Sequence, residues 1–159
     1  MRTNYMKYKV IAAVVLFVLY ALISPAKAGI GDLEQDVIAE LTVNGYPYKI
    51  GDFKGHHEIK AQAPDGILHI YIGSSGRVVE CSFLCKVCGD TISPEAIKHL
   101  QSTYPVSWTQ YQVTDTFVSY MSSDKHMVMM VGVKKPLVII TTEEGLQIHE
   151  VKDPDMEKI

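Results

Sequence analysis

In Ile67–Glu80 apolar residues recur at every second position from Leu68 to Ile72 ahead of a glycine-bounded turn, and that predicts a β-hairpin. Leu68, Ile70 and Ile72 fall on one face of a strand, and Ile67, His69 and Tyr71 on the other. Gly73-Ser-Ser-Gly76 supplies a turn with glycines where positive φ is cheap, and Arg77–Glu80 starts the returning strand. The pattern comes back at Leu137–Glu150. Setting Gly76 against Gly145 places Leu68, Ile70 and Ile72 against Leu137, Ile139 and Thr141, and Val79 against Ile148. A hairpin met twice predicts an internal duplication.

The rest of the chain fits two such units. Ile30, Leu33, Val37 and Leu41 recur at helical spacing, with acidic residues near the start and Asn44-Gly45 as a stop. Short strands are expected at 46–50 and 57–63 before the hairpin. The second unit opens at Ser93-Pro-Glu-Ala96, with Ser93 as N-cap and Pro94 in the first helical position. Ala96, Ile97, Leu100 and Tyr104 give the apolar stripe, and Pro105 ends the helix. Strands are expected after it near 106–113, 116–122, 126–133, 137–142 and 146–151. The fold class expected is α+β, as two helix-plus-antiparallel-sheet units in tandem: residues 29–90 and 91–159.

Residues 1–28 carry a different signal. Arg2, Lys7 and Lys9 form a basic start, Val10–Ile23 is apolar, and Ala26-Lys-Ala28 offers small residues for cleavage. These are the three parts of a secretory signal peptide, and the apolar run is short of the ~20 residues of a membrane span. Cleavage after Ala28 or retention as an N-terminal anchor would export the remainder of the chain in either case, so the expected location is periplasmic or secreted. Removing 28 residues from 159 leaves 131, enough for one compact domain or two very small packed repeats. The signal holds four basic residues (Arg2, Lys7, Lys9, Lys27) and no acidic ones, so 11 basic residues remain against 18 acidic ones and the net charge is −7. An acidic surface excludes nucleic acid and anionic lipid as expected partners, and no stable membrane insertion is expected after cleavage.

The runs Ala39-Glu-Leu-Thr-Val-Asn-Gly-Tyr46, Glu58-Ile-Lys-Ala-Gln-Ala-Pro-Asp-Gly66, Ile70-Tyr-Ile72 and Gly76-Arg-Val-Val79 resemble the PepSY domain. Pro94-Glu-Ala-Ile97, Tyr104-Pro105, Ile139-Ile140 and Glu144-Gly145 look like its variant related to β-lactamase-inhibitor proteins. The chain departs from the pattern in its cysteines and its longer second unit. The resemblance implies an exported module of helix against antiparallel sheet that binds proteins or restrains proteases. It brings no invariant catalytic motif.

Cys81, Cys85 and Cys88 are the three cysteines. In an oxidising compartment a disulfide is the first reading; the pairing stays open, and the odd count leaves one thiol free or bonded to another chain. Cys85-Lys-Val-Cys88 ahead of a helix also fits thiol–disulfide chemistry, and three thiolates with one histidine fit zinc. No histidine stands at a motif spacing from the cysteines, so neither metal nor cofactor is expected. Gly-x-Ser-x-Gly, His-Glu-x-x-His and a phosphate loop are all missing, which argues against an enzyme. Met127, Met129 and Met130 read as strand filling before copper ligands. Aromatics remain as candidates for a protein-binding surface: His69 and Tyr71 on the polar side of their strand, with Trp108, Tyr111 and Tyr120 on strands whose buried face the pattern leaves open. The function expected is an exported protein-binding module acting on another envelope or extracellular protein, and restraint of a protease or other envelope enzyme is its finer form. The alternative is a periplasmic thiol-redox or metal-binding protein using Cys81, Cys85 and Cys88.

Overall fold

The computed structural model describes the backbone of residues 29–150 and the side chains as far as Ile148. The expected signal segment, the His149 side chain and residues 151–159 lie outside the described residues. The elements in chain order are α1 (Glu34–Val43), β1 (Tyr48–Phe53), β2 (His56–Ala63), β3 (Gly66–Ile72) and β4 (Val78–Cys85). Then come α2 (Pro94–Ser102), β5 (Trp108–Val113), β6 (Phe117–Ser122), β7 (Val128–Gly132), β8 (Leu137–Thr141) and α3 (Glu143–Glu150).

Two helix ends form as their residues dictate. Behind α1, Gly45 takes φ +68°, and the N–H groups of Gly45 and Tyr46 donate to the carbonyls of Thr42 and Leu41. That is a Schellman stop, and glycine fits it because it has no Cβ to clash. In front of α2, Ser93 Oγ accepts the Ala96 N–H at 3.2 Å and Pro94 occupies the first turn.

All eight strands belong to one antiparallel sheet, in the order β1-β2-β3-β4-β8-β7-β6-β5. This corrects the expectation of two helix-plus-sheet units in tandem. The joint is β4 against β8, with Phe83 opposite Val138 and Cys81 opposite Ile140. Helices α1 and α2 lie on the same face. Val37 and Leu41 of α1 pack on Ile59, Ala61, Ile70 and Ile72. Ala96, Ile97 and Leu100 of α2 pack on Phe83, Met129, Val138 and Ile140.

Two further expectations are corrected. The strand predicted over 146–151 is helical as far as Glu150. Thr142 Oγ1 accepts the Gly145 N–H at 3.2 Å, capping α3, while the Thr142 N–H donates to the Val79 carbonyl at 2.9 Å. Gly145 is therefore no hairpin glycine. It is needed because a Cβ there would lie 2.6 Å from the Val79 carbonyl oxygen. Val79 and Ile148, aligned as equivalent by the repeat, sit in one small cluster with Tyr71.

The facing of β8 is also opposite to that expected. Val138 and Ile140 enter the helix-side core, and Leu137 and Ile139 are half-buried on the other face. Four consecutive apolar residues carry no period, and a one-residue offset exchanges the faces. Ile70 is buried as expected, at 2 % exposure, with Ile72 beside it; Leu68 is half-buried. Replacing Ile140 with Ala should cost about 2–5 kcal/mol, while Ile139→Ala should cost roughly half as much or less. Urea unfolding of the two variants measures the difference, and equal losses would contradict this facing.

Candidate binding face

The sheet has a helix-covered face and an opposite face. Among the described residues only α3 lies on that opposite face, at one end, where Ile148 meets Tyr71, Val79 and Phe53. Strand register sets what the rest of it presents, because residues directly opposite in neighbouring strands share a face. Ile67 is opposite Leu84, which is opposite Leu137. Next along, Ser82, Ile139, Met130 and Ser119 succeed one another across β4, β8, β7 and β6. Val128 and Met121 continue the next row. Ile67, Leu84, Leu137, Ile139, Met130 and Met121 are half-buried or exposed, so the middle of this face is apolar and reachable. Leu84 is 38 % exposed.

Beside that row stands a polar cluster. Glu58 on β2 is buried at 7 % exposure. Its Oε1 accepts the Tyr71 hydroxyl at 3.0 Å and lies 3.2 Å from His69 Nδ1, and its Oε2 lies 3.2 Å from Lys60 Nζ. Burial alone would raise the Glu58 pKa, but the bonds from Lys60 and Tyr71 and the charges of Lys60 and His69 outweigh it. The carboxyl is held below its ordinary value. Burial, then the bond to Glu58, pushes the Tyr71 phenol up. Glu80, directly opposite Tyr71, is buried beside α3. Tyr71 therefore serves as a buried donor beneath the surface.

The five residues expected to form a binding surface are divided. His69 and Tyr71 lie on the open face, Tyr71 largely buried. Trp108 and Tyr120 pack against the α2 core on the other face, with Trp108 edge-on to Tyr104 at 5.8 Å. Tyr111 sits on edge strand β5, where the register slips between Gln110 and Gln112, and is 51 % exposed. The residues missed were Glu58, Lys60 and the row from Leu84 to Met130. A signal for that row existed: Leu137–Ile140 and Val128–Val131 are apolar at every position, as central strands with two apolar faces are.

Cys85 and Cys88 form a disulfide with Cα atoms 5.6 Å apart, and Cys81 is free. The bridge closes the end of β4, and Cys88 lies ahead of the Ser93 cap, outside the first turn of α2. Cys81 points to the helix side against the α1 core; burial, then the Glu80 charge, pushes its thiol up to about 12. Reactive thiols need the opposite shift. Among the described residues no three of His, Cys, Asp and Glu gather as metal ligands, and Met129 is core filling while Met130 lies on the open face. No described helix is long and apolar enough to cross a membrane.

The lowered Glu58 pKa sets a pH dependence. A depressed carboxyl contributes stability that is present above its unfolded pKa and is lost as pH falls through the folded value. Glu58→Gln should lose about 1–3 kcal/mol at neutral pH. Its deficit against the unaltered protein should shrink below the ordinary Glu value of about 4.3. Urea midpoints from pH 7 to pH 3 test this, and a deficit independent of pH would contradict it. No protein-family model matches the chain, and no curated protein and no solved structure matches it.

Proposed function

We propose that this chain is an exported, non-enzymatic module that binds another envelope or extracellular protein through the open face of its sheet. Restraint of a protease or another enzyme is the finer form of the same proposal. The observation that carries it is the row Ile67–Leu84–Leu137 with Ile139, Met130 and Met121: apolar, reachable, and on the face away from α1 and α2. Contiguous apolar surface rimmed by polar residues is characteristic of interaction sites. Here Lys60 and His69 stand at its border, held by buried Glu58. The PepSY-like pattern points the same way, since that family's use is protein binding. The signal-like start supports export, and the disulfide fits an oxidising compartment.

The test is capture from an envelope extract by the exported chain. Leu84→Ser with Leu137→Ser should lower retention of a stoichiometric partner about tenfold or more, the change that 1.4 kcal/mol produces. Val43→Ser, at the 86 % exposed end of α1, should leave it unchanged. Equal retention by all three proteins, each confirmed folded by its thermal melt, would overturn the proposal.

A thiol-redox role for Cys85 and Cys88 is the second reading, supported by the disulfide itself. The raised Cys81 thiol and the bridge's place outside the first turn of α2 favour a staple instead. Cys85→Ser with Cys88→Ser should then cost less than the ~3 kcal/mol of a fifteen-residue loop. Partner binding should stay intact. Insulin-reductase activity in the unaltered protein, absent from this variant, would reverse the ranking.

A further inference from the structure

The open face is not uniform in charge, and its β1–β3 side adds a partner chemistry to the reading just given, on which this inference rests. Lys49 on β1 is directly opposite Lys60 on β2. Cross-strand partners share a face, and like charges placed so are destabilising for the sheet itself. Lys86, just past the end of β4, lines the same groove together with Gln62 and Ile67. The ion pairs among the described residues join His57 to Glu34, Lys60 to Glu58 and His69 to Glu58; none involves Lys49 or Lys86. The Lys60 side chain stays 54 % exposed beside its pair. Three lysines therefore gather on a chain that carries −7 once its first 28 residues are removed. Ile67, which lines the groove, is also the first member of the row running through Leu84 to Leu137.

We infer that the partner offers this groove an acidic, apolar-studded peptide segment, its carboxylates at Lys49, Lys60 and Lys86 and its apolar residues on Ile67 and Leu84. Charge complementarity decides the class. A segment of acidic side chains relieves the opposed lysines, and its apolar residues find the row beside them. A nucleic acid or anionic membrane would meet the net negative charge of the whole protein, which repels extended polyanions. A second copy of this chain would bring the same lysines to the same place.

Fluorescence anisotropy with the exported chain and a labelled peptide of alternating Glu and Leu tests the inference. A peptide of alternating Lys and Leu is the control. The Glu/Leu peptide should bind. Its affinity should fall with salt, since the screening length shrinks from about 10 Å at 0.1 M to about 3 Å at 1 M. Lys49→Glu with Lys86→Glu should weaken binding roughly tenfold or more, the scale of close charge pairs at interfaces. Lys98→Glu with Lys134→Glu makes the same change in net charge elsewhere and should leave binding near its original value. Absence of binding, binding of the Lys/Leu peptide, equal loss in both double variants, or self-association that the Lys49 and Lys86 changes enhance would overturn the inference. The capture experiment separates the two readings. Partner loss on Leu84→Ser/Leu137→Ser alone, with none on Lys49→Glu/Lys86→Glu, removes the acidic segment and leaves the apolar face. Loss on neither removes both.

Discussion

The pairing of β4 with β8 is the constraint that the rest of the structure rests on. It joins residues near 80–84 to residues near 137–141, so it closes a long loop before any contact rewards it. Once made, it sets Phe83 beside Val138 and Cys81 beside Ile140, in two successive rows on the helix side. A core under α2 then forms from strands of both halves. The core under α1 adjoins it, with Leu68 packed against both clusters. Neither half of the sheet ends in an edge at this joint. Free edges remain at β1 and β5, both largely exposed, and β5 carries a register slip that spoils it as a template for further strands.

Placing both helices on one face has a direct consequence for the other. The opposite face is supported by α3 at one end, where Ile148 meets Tyr71 and Val79. That end is also tied by polar bonds: Glu144 Oε1 accepts the Ser74 N–H at 2.7 Å and the Ser74 hydroxyl at 2.9 Å, linking α3 to the β3–β4 turn. Away from α3 the same face changes character in steps. Buried Glu58 and Glu80 give way to Lys60 and His69, then to apolar Leu84, Leu137 and Ile139. Buried carboxylates under such a surface hold it rigid: Glu58 fixes Tyr71 and draws Lys60 and His69 towards one point. A preformed surface of this kind loses less entropy on binding than one that must be ordered.

Local chemistry in the sequence determined several elements outright. The α1 stop at Gly45 and the α2 start at Ser93-Pro94 come from capping physics that acts within a few residues. Alternation in β3 sorted Ile70 from Tyr71 correctly, because that strand is apolar at alternate positions where it matters. The same reasoning failed wherever the period vanished. Leu137–Ile140 is apolar throughout, and only the register against β4 sends Val138 and Ile140 inward. At Thr142–Gly145 two local signals competed: a glycine that resembles a hairpin turn, and a threonine that caps a helix. The close approach of Gly145 to the Val79 carbonyl settled it, and that approach exists only once β4 and β8 are paired.

The candidate site divides in the same way. Composition determined the acidic character of the chain, since charge is a sum over residues and needs no fold. The sequence also named His69 and Tyr71 as facing away from the apolar set, which strand parity alone supplies. Tertiary structure decided the rest. It packed half-buried Trp108 and Tyr120 against the α2 core, brought Glu58 to Tyr71 and His69, and set Lys49 opposite Lys60 beside Lys86. Those meetings depend on register between strands and on which face the helices occupy. Both are fixed by packing of the whole sheet, which no short window of sequence contains.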